Sequence, residues 1–182
     1  WAEINWLWNI NAELAGLDVE VFPVSSDLID VYPWTDFMDP LSLSNSSFLL
    51  GLDYNSPIEF QVVATDLCGD LWPSKTIRTV FLEGTSPFPG EYELSWTPFQ
   101  LEGATVLEYE IYRIQNDATE FLGTVPGSEN SYVDFLSPGE IGNEAVCYYV
   151  EARFAQFLPS GEEVIANSRS NEICLRPKPQ MY

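Results

Sequence analysis

The chain has 182 residues, with 28 Asp and Glu against 7 Lys and Arg, a formal charge of −21, and no histidine. Without histidine, neither a Ser-His-Asp or Cys-His nucleophile nor a histidine-bearing zinc site can be assembled, and the excess of acid disfavours nucleic acid and anionic membranes as partners. Apolar residues at 46% and aromatics at 14% suffice to bury a core, while no apolar run reaches the roughly 18–20 residues that span a bilayer. The chain opens at Trp1 with no charged and apolar leader, so we expect a mature protein or a segment of a longer one.

In chain order, apolar residues alternate with polar ones in short runs separated by turn residues. The first half alternates through Ile4, Trp6 and Trp8, through Leu17, Val19 and Val21, and through Ile58, Phe60, Val62 and Ala64. The second does so through Tyr92, Leu94 and Trp96, through Leu107, Tyr109 and Ile111, and through Val146, Tyr148, Val150 and Ala152. Period two in Val, Ile, Tyr, Phe and Trp predicts half-buried strands. Strands are expected near 3–9, 17–24, 47–52, 57–66 and 75–83, then near 91–97, 106–114, 119–125, 131–135, 145–155 and 163–175. Residues 25–46 read as a loop with room for one short strand, since Pro33 and Pro40 interrupt a ladder. Turn signals about every ten residues suit β-sandwiches, not βαβ units. The fold class is all-β.

The halves resemble one another. Trp8 and Trp96 are 88 residues apart, Val19 and Tyr109 are 90 apart, and Ala64 and Ala152 are 88 apart, an internal repeat of sandwich length. Charge divides evenly, 2 − 13 = −11 over 1–84 and 5 − 15 = −10 over 85–182. Leu82-Glu-Gly-Thr-Ser-Pro-Phe-Pro-Gly-Glu91 interrupts the alternation, so two domains are expected, 1–84 and 85–182, joined by a short proline-stiffened junction.

Tyr-Glu-Leu-Ser-Trp (92–96), Leu-Glu-Tyr-Glu-Ile-Tyr-Arg (107–113) and Tyr-Tyr-Val-Glu-Ala (148–152) resemble strands B, C and F of a fibronectin type III domain. Trp96, Tyr109, Ile111, Val150 and Ala152 match that pattern position by position, and Trp8, Val19, Val21, Val62 and Ala64 match it more loosely. The resemblance implies two tandem immunoglobulin-like sandwiches, the first with strand A short or missing. The family's corner tyrosine is replaced by Val146 and Ile58. Ala64-Thr-Asp-Leu-Cys-Gly-Asp70 with Thr76–Leu82, and Val146–Ala152 with Ser170-Asn-Glu-Ile-Cys-Leu175, are similar to words in tandem repeats of gliding-motility-associated, type IX-secreted surface proteins of Bacteroidetes.

Three cysteines limit any disulfide framework. By alternation Cys147 and Cys174 both point off the core, and strands F and G are neighbours in this family. A cross-strand disulfide is expected if the Cα atoms lie roughly 4.4–6.8 Å apart; two independent thiols are the alternative. Cys68 falls at the F–G turn of the first domain without a partner in the chain, and with no histidine to activate it is not read as catalytic.

Asp27, Asp30, Asp36 and Asp39 are weak Ca²⁺ candidates. Their oxygens are of the right type, but the spacing fits no known loop pattern and a solvated acidic loop is the plainer reading. Asp66 and Asp70 flank Cys-Gly in a turn, where backbone hydrogen bonding competes with a metal. Tyr32, Trp34, Phe37 and Trp72 form a possible ligand patch, stacking sugar rings or meeting a protein, or else plugging the sandwich end. Asn45-Ser-Ser47 fits a glycosylation sequon.

The sequence thus points to a non-enzymatic adhesion, spacer or interaction module of a larger bacterial surface protein. Its location is extracellular and its partners are an unknown surface protein or glycan together with flanking domains of the same polypeptide. No cofactor, metal, nucleic acid or membrane insertion is expected. The alternative is a carbohydrate-binding accessory module of a secreted polysaccharide-degrading enzyme; a hydrolase would need a carboxylate-lined cleft.

Overall fold

The computed structural model describes residues 3–7, 14–23, 30–33, 44–48, 56–137, 139, 144–157 and 161–178. Among the described residues sixteen strands run in chain order: β1 Glu3–Leu7, β2 Leu14–Pro23, β3 Asp30–Pro33, β4 Ser44–Phe48, β5 Ile58–Asp66, β6 Leu71–Pro73, β7 Ile77–Arg78 and β8 Phe81–Thr85. There follow β9 Glu91–Thr97, β10 Gln100–Leu101, β11 Ala104–Gln115, β12 Ala118–Pro126, β13 Ser131–Phe135, β14 Val146–Phe157, β15 Glu163–Arg169 and β16 Ile173–Leu175. The fold is all-β, and all strand pairs are antiparallel. The chain divides into two compact units, Trp1–Arg78 with Gln100–Glu102, and Thr79–Phe99 with Gly103–Tyr182.

The second unit sets a three-stranded sheet, β13-β9-β8, against a larger one in the order β12-β11-β14-β15 with β16 also on β14. Lettered by position these are E-B-A and C′-C-F-G, the division of a fibronectin type III sandwich. Alternation does the packing. Leu82, Tyr92, Leu94 and Trp96 on one sheet are buried, as are Tyr109, Ile111, Val146, Tyr148, Val150 and Ala152 on the other. Tyr92 meets Tyr148 at 5.6 Å between ring centroids and Trp96 meets Tyr109 at 5.3 Å. Each such side chain contributes on the order of 1.5–3 kcal/mol by leaving water. β11 and β12 turn through Asn116 and Asp117, at φ 53° and 61°, a type I′ hairpin whose twist matches its strands and which Asn and Asp tolerate.

Among its described residues the first unit follows the same plan: β1 pairs β4 as B and E, and the other sheet runs β10-β7-β5-β2-β3, with β6 also on β5. Strand β3 ends at Pro33 on the sheet edge, where a missing N–H costs no ladder bond. The repeat extends to a defect. β2 bulges between Leu14 and Gly16 against β5, and β11 bulges between Val106 and Glu108 against β14. Because Ala64 pairs Leu17 while Ala152 pairs Tyr109, the counterpart of Tyr109 is Leu17, not Val19.

Three strand expectations are corrected. Leu107 was aligned with Tyr109 and Ile111 as an inward residue; the bulge leaves it unpaired and 43% exposed, since one extra residue inverts period-two parity. The strand expected over 75–83 is two strands, β7 in the first unit and β8 on β9 in the second. The strand over 163–175 is likewise broken into β15 and β16 at Ser170 and Asn171. Of the strand expected over 47–52, residues 47 and 48 close β4, which begins earlier, at Ser44, inside the region read as loop, and 49–52 lie outside the described residues.

Candidate functional site

The strands F and G carry the chemistry the sequence singled out. In β14 and β16, Cys147 stands directly opposite Cys174, and a disulfide joins them. Their Cα atoms are 4.0 Å apart, shorter than the expected window and near the ~4.5 Å of a non-hydrogen-bonded antiparallel pair. The bond closes 27 residues of chain, which the chain-entropy model values at about 3.5 kcal/mol. Glu172 is the third member of the one group within metal-ligand reach among the described residues, but both sulfurs there are spent on each other. In the first unit Phe60 stands opposite Ile77, as Tyr148 stands opposite Ile173. The place of the disulfide is therefore taken by the next pair, Glu59 and Arg78, which form an ion pair with Nε at 2.8 Å.

Between β15 and β16 side chains replace the ladder. The Val150 N–H donates to Ser170 Oγ at 3.0 Å while the Ser170 N–H donates to the Val150 carbonyl at 2.8 Å. Asn171 then reaches β8: its Oδ1 accepts from the Leu82 N–H at 2.7 Å and its Nδ2 donates to the Leu82 carbonyl at 2.9 Å. A Cβ on Gly84 would lie 2.8 Å from Ile173 Cδ1 and 3.0 Å from Leu175 Cδ1, so the ends of these side chains seat against the bare backbone of β8 and would have to shift for a larger residue. The words Ser170-Asn-Glu-Ile-Cys are thus a fastening for strand G.

An interior polar cluster ties the two sheets. Asp134 Oδ2 accepts from Arg113 Nη1 at 2.9 Å and from the Tyr148 hydroxyl at 2.8 Å, and Arg113 Nη2 donates to Glu120 at 2.6 Å. Burial, then the Asp134 charge and its hydrogen bond, push the Tyr148 phenol well above the ordinary tyrosine range.

On its face opposite Tyr109 and Tyr148, the larger sheet carries a row of rings. Phe121 meets Tyr112 at 5.5 Å, Tyr112 stacks on Tyr149 at 4.7 Å and 9°, and the Arg169 guanidinium sits 3.5 Å over Tyr149. Glu110 and Glu151 stand opposite one another beside it. The Tyr112 hydroxyl donates to Glu110 at 2.7 Å, which raises its phenol; burial raises the Glu151 carboxyl, against the pull of Arg169. Sequence reading missed this row, although its signal was present as tyrosines of outward parity in Tyr112-Arg113 and Tyr148-Tyr149. Phe121, at 55% exposure, is its open end.

Of the expected ligand patch, Trp72 is 63% exposed in β6, next to exposed Leu71 and near exposed Leu67. Tyr32 and Asp30 fall in β3, whose side chains are not described, and Trp34, Phe37, Asp27, Asp36 and Asp39 lie outside the described residues. Cys68 is exposed and outside the disulfide. A shallow groove of about 500 Å³ lies over β8, β9 and β13, lined by Glu83, Glu93, Ser95, Ser131, Tyr132 and Val133 among others. No helix among the described residues is long and apolar enough to cross a membrane.

No family model and no curated protein matches the chain. Among solved structures it is similar to the FN1–FN3 domains of chicken CNTN1, at 16% identity and a TM-score of 0.33. The match covers 96% of this chain and 60% of that one. The assignment of the sandwiches rests on the strand order and core above.

Proposed function

We propose that the chain is a non-catalytic extracellular segment of a larger surface protein, in which tandem sandwiches space and present neighbouring domains. The observation that carries the reading is the disulfide on a fibronectin type III scaffold. Such bonds persist in oxidising compartments. A charge of −21 keeps a displayed array soluble and self-repelling. The sequence words shared with gliding-associated surface proteins of Bacteroidetes favour a bacterial cell surface and an adhesive role. Protease shaving of intact producing cells should release peptides of this chain; peptides appearing only after lysis would refute an extracellular location.

A second reading, a carbohydrate-binding accessory module, is favoured by one observation, the exposure of Trp72 beside Leu71, since ring faces stack on sugars. On a glycan and surface-protein array, a hit lost in Trp72→Ala would establish it. A blank array leaves the spacer.

A further inference from the structure

We propose that the open edge of β13 is a docking site for an extended Lys- or Arg-bearing segment of another protein, which joins the β13-β9-β8 sheet as a further strand. Two hydrogen bonds fix which backbone groups β13 leaves open. The Trp96 N–H donates to the Asn130 carbonyl at 3.0 Å and the Leu136 N–H to the Gly90 carbonyl at 2.8 Å, and both pairs continue the β13–β9 register. Bonded and non-bonded pairs alternate along an antiparallel ladder. Tyr132 and Asp134 therefore bond to β9, while Ser131, Val133 and Phe135 turn their N–H and C=O groups away from it. Among the described residues β9 is the one strand paired with β13. The same three residues point their side chains outward, and Val133 is 42% and Phe135 69% exposed.

Natural sheet edges are guarded by bulges, prolines or lysines. β12 has two of these, a bulge at Leu122 and Pro126 at its end. β13 has none: its register on β9 is unbroken and it holds neither Pro nor Lys. β15, at the far edge of the larger sheet, carries Arg169 and sets Asn167 opposite Arg153, so its surroundings are mixed in charge. Beside β13 the charge has one sign. Glu83 and Glu93 border the groove over the three strands, no cationic side chain among the described residues lines it, and Glu91 stands opposite Phe135. That excess of carboxylate selects a cationic guest and repels a second copy of a chain carrying −21. A strand added to β13 lies about 9–10 Å from β9. A Lys or Arg opposite Val133 lays its stem over that side chain and meets the Glu93 carboxylate beyond it. Alternate guest residues share this face, and those between them fall beside half-buried Tyr132, where a β-branched side chain fits. Backbone bonds supply the affinity and the alternate cations the specificity.

The test uses the full chain and a capped synthetic peptide of alternating lysine and valine, with an alternating glutamate and valine peptide of equal length as control. The lysine peptide should bind and slow amide exchange at Val133 and Phe135 about 10-fold or more, while Tyr132 and Asp134, already bonded to β9, keep their rates. Val133→Pro removes an N–H that the ladder does not use, so its urea unfolding should match the wild type while its affinity for the lysine peptide falls about 10-fold or more. Glu93→Gln should weaken binding about 2- to 5-fold, the worth of an exposed ion pair. No binding of the lysine peptide, unchanged exchange at Val133, or undiminished binding by Val133→Pro would overturn the strand addition. Equal binding of both peptides would overturn the charge selection. Self-association that protects the same amides without peptide would give the edge to a second copy and overturn the assignment to a basic partner. None of these results bears on surface shaving, by which the spacer reading stands or falls.

Discussion

Replacing Asp134 with alanine should be among the most damaging single changes in the second unit. Its carboxylate takes bonds from Arg113 and Tyr148, and the Arg113 and Asp134 side chains are only 11% and 8% exposed. Removing one partner of a buried ion pair costs about 3–5 kcal/mol. Arg113 keeps Glu120, so the lower end applies, about 3 kcal/mol. For a unit of about 100 residues that lowers Tm by at least ~12 °C. Tyr148→Phe removes a single bond to a charged acceptor and should cost about 1.5–3 kcal/mol. The two changes share Asp134 Oδ2, so the double variant should lose less than their sum by ~0.5 kcal/mol or more. Urea unfolding followed through Trp96 fluorescence measures all three. A cost for Asp134→Ala below 1 kcal/mol, or strict additivity with Tyr148→Phe, would refute the reasoning.

Three other outcomes follow from the geometry. Burial raises the Tyr148, Tyr109 and Tyr92 phenols; a raised folded pKa stabilises fully below the unfolded value near 10 and is lost above it. Stability should therefore decline from about pH 10 upward, with part of the 295 nm tyrosinate signal appearing only on unfolding; full ionisation in the folded state would contradict this. Leu107→Ser should change stability by no more than ~0.5 kcal/mol whereas Ile111→Ala costs about 2–5 kcal/mol; equal effects would place Leu107 in the core. Reducing the disulfide should lower the second unit's stability by about 3.5 kcal/mol and leave the first unit's transition in place, read by paired urea curves with and without dithiothreitol.

The alternation made the fold legible wherever one face of a strand is buried and the pairing unbroken: β9 and β13 fall at the expected 91–97 and 131–135. It failed where the chain departs from period two. Leu107 looked inward because a bulge is invisible to alternation, and β8 looked like the end of a first-domain strand because apolar residues continue across Thr79 and Val80. The outward parity of Cys147 and Cys174 was readable, and their opposition followed from strand order. The fastening by Ser170 and Asn171 was not, since it depends on side chains bonding backbone across sequence separations of 20 and 89. The Phe121–Tyr112–Tyr149 row was legible only as aromatics of outward parity, since period two tells which face a ring takes and not which rings meet across strands.

The central claim is that this is a scaffold built for an oxidising exterior, with its strand G fastened covalently. Peptide mapping of the protein isolated from its producing cells, alkylated before any reduction, tests it directly. The account predicts a cross-linked peptide pair containing Cys147 and Cys174, with alkylation at Cys68 alone. Alkylation of all three cysteines would contradict it.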